Sequence, residues 1–324
     1  MAVEFLSDSP LATIQDTGRI GCARYGYRRC GACDAWAARI AGLLCGNEIQ
    51  SGQDAVIEFT LRGGSLRFTE NTLFAVTGAD CDLLLDDVAV PMHQSLIAQA
   101  GQILKIGAAK TGLRIYLAVR GGIALAPVMG SRSTDTGCCL GGYEGRKLRM
   151  GDSLPVQSCS SGHCQTLPRA FPTSPPGRVR WVGTEKIPVL RVVPGPQDEL
   201  FSEEAGQLFC RNIYEIGSDS NRMGCRLVGA TIPVPSEDMI SDPIVEGSVQ
   251  ISSGGLPIVM MADHQTTGGY PKIGTVIHSD LPVLAQKRPG ERVAFSFVTV
   301  EEAQVIRRRD EAMFKELEQW FAGR

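Results

Sequence analysis

Ala55-Val56-Ile57-Glu58-Phe59-Thr60-Leu61-Arg62-Gly63-Gly64-Ser65-Leu66-Arg67-Phe68 is the stretch on which the fold turns. From Ala55 the pattern has a period of two, with Ile57, Phe59 and Leu61 alternating with Val56, Glu58 and Thr60. That period places alternate side chains on opposite faces of a strand. Gly63-Gly64 then turns the chain into Ser65–Phe68, which reads as a second strand. More short strands are expected outward from here. They fall at Leu73–Thr77, at Cys81–Leu85 with a turn at Asp86-Asp87 into Val88–Val90, at Ile103–Ile106 and at Leu113–Val119. Regular short strands divided by turn signals argue for an antiparallel barrel or sandwich.

On the N-terminal side, residues 10–34 are dense in turn formers and charges. Asp16, Arg19, Arg24 and Asp34 there read either as the rim of a polar pocket or as a long surface loop. A helix is expected from Asp34, which can cap it, with Trp36, Ile40, Leu43 and Leu44 on one face and Gly46-Asn47 as its stop. On the C-terminal side, residues 157–188 collect prolines and serines and read as a linker. Beyond it come a strand at Val189–Val193 ending in Pro194-Gly195-Pro196, and a helix from about Asp198 to Phe209 with Leu200, Phe201 and Leu208 as its apolar side. Further strands are expected at Val249–Ser252, Ile258–Met261, Thr275–His278 and Val293–Thr299. The C-terminus reads as a helix opened by a Thr299/Glu302 capping box, with Val305, Met313, Leu317, Trp320 and Phe321 as its apolar side. Its Arg307-Arg308-Arg309 run is a solvated face or a docking surface. The organisation expected is a β-barrel-like domain at 1–156, the linker at 157–188, a second barrel at 189–300 and a helix at 301–324.

The totals exclude several functions. A formal charge of −3 on 324 residues makes no electrostatic case for nucleic acid or anionic membranes. No apolar run approaches the length of a membrane span, and no basic segment followed by an apolar one opens the chain, so a cytoplasmic location is expected. Eleven cysteines, an odd number in a large chain, do not suggest a disulfide framework. Cys30 and Cys33 have redox or zinc spacing, and Cys159, His163 and Cys164 form a second group. No second CxxC completes a tetrahedral set, so no metal is expected and reduced thiols serve as small apolar residues.

Three loops carry polar groups suited to chemistry. Ala262-Asp263-His264-Gln265-Thr266-Thr267-Gly268-Gly269-Tyr270-Pro271-Lys272-Ile273 follows the buried-strand signal Ile258–Met261 and sets hydrogen-bonding side chains beside two glycines and a lysine. It reads as a ligand loop or as a solvated hairpin turn. Gly130-Ser131-Arg132-Ser133-Thr134 reads as an anion cradle or as a polar loop. Gly141-Gly142-Tyr143-Glu144-Gly145-Arg146 is the third. The chain holds no GxxxxGK[ST], so none of these is a P-loop.

Five motifs in order, Thr13-Ile14-Gln15-Asp16-Thr17-Gly18-Arg19, Gly130–Thr134, Gly142–Arg146, Asn221-Arg222-Met223-Gly224 and Gln265–Lys272, make the chain resemble the KipA family, which includes allophanate hydrolase subunit 2 and the C component of 5-oxoprolinase. The resemblance covers about residues 5–300. It implies a mainly β chain with a few helices, built as two cyclophilin-like β-barrel domains with a C-terminal helix. It also implies partnership with a KipI-like B component and a LamB/YcsF-like A component, to open 5-oxoproline to L-glutamate with ATP. An alternative implied role is carboxyl transfer from carboxybiotin, carried by another protein, to urea or a related amide. A third is non-enzymatic antagonism of a KipI-like kinase inhibitor. His264 stands where the family usually has arginine, and Asn221 where aspartate is common. Within the first reading, catalytic roles are expected of Asp16, Glu144 and Lys272. Substrate binding is expected of Arg19, Ser131, Arg132, Ser133, Arg222, Gln265, Thr266, Thr267, Gly268 and Gly269. Donors placed in advance around a developing oxyanion are the efficient way to open a small-molecule amide, and the carboxylates serve proton transfer.

Overall fold

A computed structural model describes residues 1–47, 55–157, 180–182, 184–234 and 239–322. The chain divides into two compact units. One comprises Met1–Ile20, Cys30–Ser174 and Glu316–Arg324; the other comprises Gly21–Arg29 and Pro175–Lys315. Most of the Pro/Ser-rich stretch, with Cys159, His163 and Cys164, lies outside the described residues.

The first unit is an open half-barrel. Its strands are β1 (Ala2–Phe5), β2 (Leu11–Gln15), β3 (Val56–Thr60), β4 (Ser65–Phe68), β5 (Thr72–Leu85), β6 (Val88–Ala89), β7 (Leu96–Ala98), β8 (Ile103–Val119) and β9 (Ser153–Pro155). The path β2-β3-β8-β4-β1-β9 is antiparallel, and β5 adds to β8 and carries β6 and β7. The stretch that opened the reading is β3 and β4, but both pair with β8 rather than with one another. Four of the expected short strands are two long ones, β5 and β8. Their register shifts between Gly78 and Asp80 and again toward Leu83. Gly78 sits at φ +91, and a Cβ there would overlap the Arg114 carbonyl. A bulge of this kind bends a strand without ending it, which the glycine disguised as a break. Asp86 and Asp87, both at positive φ, make the tight turn into β6 as read.

Helix α1 (Ala35–Leu44) packs across β5 and β8 and buries Trp36, Ile40, Leu43 and Leu44. Asp34 caps it by accepting from the Ala37 amide at 2.9 Å. Three polar tethers fix it to the sheet: Thr77 Oγ1 to the Ala37 carbonyl, Ser95 Oγ to the Leu44 carbonyl and Asn47 Nδ2 to the Val119 carbonyl. The core beneath is aromatic and aliphatic, with Phe68 stacked on Phe74 at 5.1 Å.

The second unit is a closed barrel. It holds β10 (Arg180–Val182), β11 (Ile187–Pro194), α2 (Glu203–Arg211), β12 (Ile213–Ile216), β13 (Gly224–Val228), β14 (Asp242–Pro243), β15 (Ser248–Ile251), β16 (Pro257–Met260), β17 (Thr267–Gly268), β18 (Lys272–Val276), α3 (Leu281–Ala285) and β19 (Arg292–Phe297). The ring runs β11-β18-β15-β16-β13-β12-β19 and closes through a parallel β11–β19 pair, Val189 with Ala294 to Val192 with Phe297. Closure removes the edges that an open sheet would expose. The expected helix at Asp198–Phe209 begins later, at Glu203 with Ser202 as its cap; Asp198–Leu200 is a 3-10 turn. Its buried residues are Ala205 and Phe209, not Leu200, and Phe209 stacks on Phe295 at 4.6 Å. Helix α4 (Val300–Ala322) starts at the capping box, where Thr299 N donates to Glu302 at 2.9 Å and Glu302 N to Thr299 Oγ1 at 3.2 Å. Its buried apolar residue is Phe314, while Val305 and Trp320 are exposed. Among the described residues no helix is long and apolar enough to cross a membrane. The expectation of a mainly β chain with two barrel-type units and a C-terminal helix holds.

Candidate functional site

In the half-barrel, three of the quoted motifs meet. Residues 131–134 run beside the end of β2, where Thr134 N donates to the Ile14 carbonyl and Ile14 N to Thr134 Oγ1. This brings the cradle expected at Gly130–Thr134 onto Asp16, which is 8 % exposed. Ser131 Oγ and Ser133 Oγ donate to Asp16 Oδ1 at 2.6 and 2.5 Å, Gly18 N to the same oxygen at 2.8 Å, and Arg132 N to Oδ2 at 2.5 Å. The anion that this cradle holds is the chain's own carboxylate. Four donors occupy its two oxygens, and the serines are committed to it. The Arg132 guanidinium donates through Nε to the Leu125 carbonyl at 2.7 Å.

The glycine turn is the third motif. Gly141 and Gly142 are at positive φ, and a Cβ on either would overlap Arg19 and Ser133, or Thr134. Only glycine lets this turn close down on the other two loops. Glu144 is exposed and paired with Arg146 at 2.9 Å, which grips Asp152 through two bonds of 2.7 and 2.8 Å. Arg19 is 1 % exposed. One of its nitrogens donates to the Ser133 carbonyl, while Nε and Nη1 have no hydrogen-bond partner among the described residues. A buried guanidinium left this open favours an anion, because a desolvated charge is costly without compensation.

In the barrel, the other two motifs meet. Arg222 Nε and Nη2 reach Asp263 at 2.8 Å each, and the Asp263 amide donates to the Arg222 carbonyl at 2.8 Å. Arg222 therefore ties the 221–224 segment to the 262–273 loop. Asn221 and Met223, on either side of it, line a cavity of about 190 Å³ with Gln250, Met260, Gln265 and Tyr270. Thr267 and Gly268 form β17, paired with Pro243 and Asp242 of β14, and Ile244 N donates to the Thr266 carbonyl at 2.9 Å. The loop is thus held against β14 as it crosses from β16 to β18, with Thr267 and Gly269 exposed.

Lys272 is 2 % exposed and its ammonium meets Asp242 at 2.7 Å. Asp242 also accepts from Gln197 Nε2 at 2.9 Å. Its carboxyl is held below the usual aspartate range, first by the Lys272 hydrogen bond and then by Gln197. Gly195 has no room for a Cβ against the Lys272 carbonyl, which explains the Pro-Gly-Pro turn. Sequence reasoning missed Asp242, Gln197, Asp263 and Gln250. Asp242-Pro243 and Pro196-Gln197 offered turn signals but none of partnership. His264 is buried, its Nδ1 against the Gln265 carbonyl at 2.7 Å, and burial holds its pKa below the ordinary value. Burial pushes Glu246 the other way, with Arg29 at 3.6 Å opposing. Among the described residues no group of three or more His, Cys, Asp or Glu is placed to hold a metal ion.

The carboxyltransferase domain, subdomain A and B, matches residues 25–297 as a family model. The chain belongs to this carboxyltransferase family. It is 38 % identical to the C subunit of 5-oxoprolinase from Haemophilus influenzae over 313 residues, 95 % of each chain. It is also 38 % identical to the C subunit of 5-oxoprolinase from Escherichia coli over 306 residues, 94 % of each. Among solved structures, the K. lactis urea amidolyase superposes with a TM-score of 0.84 at 28 % identity, covering 98 % of this chain and 20 % of that one. The family match runs through both units and takes in four of the five motifs, Thr13–Arg19 lying before its first residue.

Proposed function

We propose that this chain is the C component of an ATP-dependent 5-oxoprolinase, opening 5-oxoproline to L-glutamate with a KipI-like B component and a LamB/YcsF-like A component. The observation that carries this reading is the end-to-end correspondence with two proteins of that name, at 38 % identity over 95 % and 94 % of each chain. A lactam is a resonance-stabilised amide, and ATP would supply the driving force by activating its carbonyl oxygen. This chain's residues bind and orient the amide and meet the charge that develops on oxygen. Arg19, with its open nitrogens, suits an anionic group. Lys272 with Asp242 offers a buried cation at the end of the 262–273 loop, and Gln265, Thr266 and Thr267 stand for orienting the amide. Asp16, Ser131, Ser133 and Arg222 act as positioning residues in this scheme, since each already has its partners.

Glutamate release from 5-oxoproline and ATP, measured with all three components and then with this chain omitted, tests the proposal. Release that stops on omission supports it. Unchanged release on omission, or none from the full set, overturns it. A second reading, carboxyl transfer from carboxybiotin on another protein to urea or a related amide, is favoured by the family's description and the urea amidolyase superposition. It predicts turnover that requires bicarbonate and biotin.

A further inference from the structure

We infer that the cavity on the closed barrel is a subsite for a small cis amide, a lactam edge, with Gln265 as its two-point partner and Gln250 beside it. The proposed function enters only in choosing 5-oxoproline as the natural ligand. At about 190 Å³ the cavity is smaller than the roughly 300–1,000 Å³ that drug-sized ligands occupy, and suits a molecule of a few heavy atoms. Its floor is apolar. Ile258 and Met260 lie 3.1 and 3.8 Å from where a Gly224 Cβ would stand, so Gly224 keeps the floor open.

Two primary amides converge above that floor. A Cβ on Gly268 would lie 2.9 Å from Gln250 Nε2 and 3.5 Å from Gln265 Nε2. Gln250 is 1 % exposed and donates to the Tyr270 carbonyl at 3.3 Å. The Gln265 side chain has no hydrogen-bond partner among the described residues, although the main chain on both sides of it is pinned by Arg222–Asp263 and by Ile244–Thr266. A primary amide shows a carbonyl and a syn N–H on one edge. A lactam, whose ring forces the amide cis, shows the same two groups side by side, so two hydrogen bonds close between them. A trans peptide separates its N–H and C=O on opposite sides and cannot make this pair. At the rim, Arg226 holds Asp219 at 3.0 Å, and both are exposed. Such a pair is weak, so a ligand carboxylate can take the guanidinium at little cost.

The test titrates the full chain, by NMR shifts or calorimetry, with 5-oxoproline, pyrrolidin-2-one and N-methylpyrrolidin-2-one. The first two are expected to bind saturably. The N-methyl compound, lacking the N–H, should bind at least tenfold more weakly, and Gln265→Met should weaken pyrrolidin-2-one by a similar factor. Hydrogen exchange on the unaltered chain guards against a misfolded variant: saturating pyrrolidin-2-one should slow amides in 221–224 and 265–270. Equal binding of the N-methyl compound, unweakened binding by folded Gln265→Met, or no protection of those segments overturns the inference. The omission assay separates the two ideas. A chain required for glutamate release whose Gln265→Met variant turns over normally loses the subsite but keeps the function. Lactam binding in the cavity with no effect of omission does the reverse.

Discussion

Asp16 organises its unit as a single carboxylate that accepts two hydroxyls and two backbone amides. Asp16→Ala strands four donors, each worth about 1–3 kcal/mol if left buried and unpaired. Because some of them relax toward water, a loss of about 3 kcal/mol in urea denaturation is the expected outcome. Asp16→Asn, which keeps an acceptor, should fall in between. Lys272 carries a pH signature. The folded-state pKa of its partner Asp242 is depressed, first through the hydrogen bond from Lys272 and then through Gln197. A depressed carboxyl contributes stability above its unfolded pKa and loses it as pH falls through the folded value. Stability should therefore decline below about pH 4, the ordinary aspartate value, and that decline should shrink in Lys272→Met, where only the Gln197 bond is left to hold the carboxyl down. Denaturation midpoints from pH 5 to 2 for the two proteins check it. His264 acts in a higher window. Burial depresses its pKa, and Asp263, Arg29 and Arg28 face it. The neutral ring's contribution is present above about pH 6.5 and lost as pH falls below that. An imidazole NMR titration midpoint at or above 6.5 would contradict this.

At the scale of elements, caps and bends are where residue choice and geometry meet. Asp34→Ala removes the acceptor for the Ala37 amide and should cost about 1 kcal/mol. Gly78→Ala forces a Cβ toward the Arg114 carbonyl at a φ of +91, and should cost more than the roughly 1 kcal/mol of an ordinary left-handed strain because the β5–β8 ladder must also shift. Thermal denaturation of both variants gives the ranking; a Gly78→Ala protein as stable as the parent would deny the bulge its role. The α1 signals were legible because cap, apolar face and stop all agree locally. The helix after Gly195 was placed too early because Asp198–Leu200 carries acidic start signals of its own, while Ser202 makes the actual cap. Of the apolar side expected for α4, Met313 and Leu317 are half-buried, Val305 and Trp320 are exposed, and the buried residue is the neighbouring Phe314. A 3.6-residue stripe on the sequence does not say which side meets a partner.

At the scale of the molecule, each unit has a strand that its topology depends on. In the half-barrel it is β8, which pairs with β3, β4 and β5. Amides of Ile115–Val119 should exchange with solvent only through global opening of that unit, and faster exchange there than in β1 would count against this topology. In the barrel, the parallel β11–β19 pair joins strands far apart in sequence. No local signal announces such a closure. Local patterns by themselves determined the β character of the chain, the Asp34 and Thr299 caps, the turn at Asp86-Asp87 and the five motifs that place it in its family. They could do so because period, capping and turn chemistry act over a few residues. The tertiary structure alone decided that the Gly130–Thr134 cradle is filled by Asp16, that Arg222 is tied to Asp263, that Lys272 has Asp242 and that Gln250 and Gln265 face one cavity. Those partners come from distant segments, and only packing brings their charges and amides within hydrogen-bonding range.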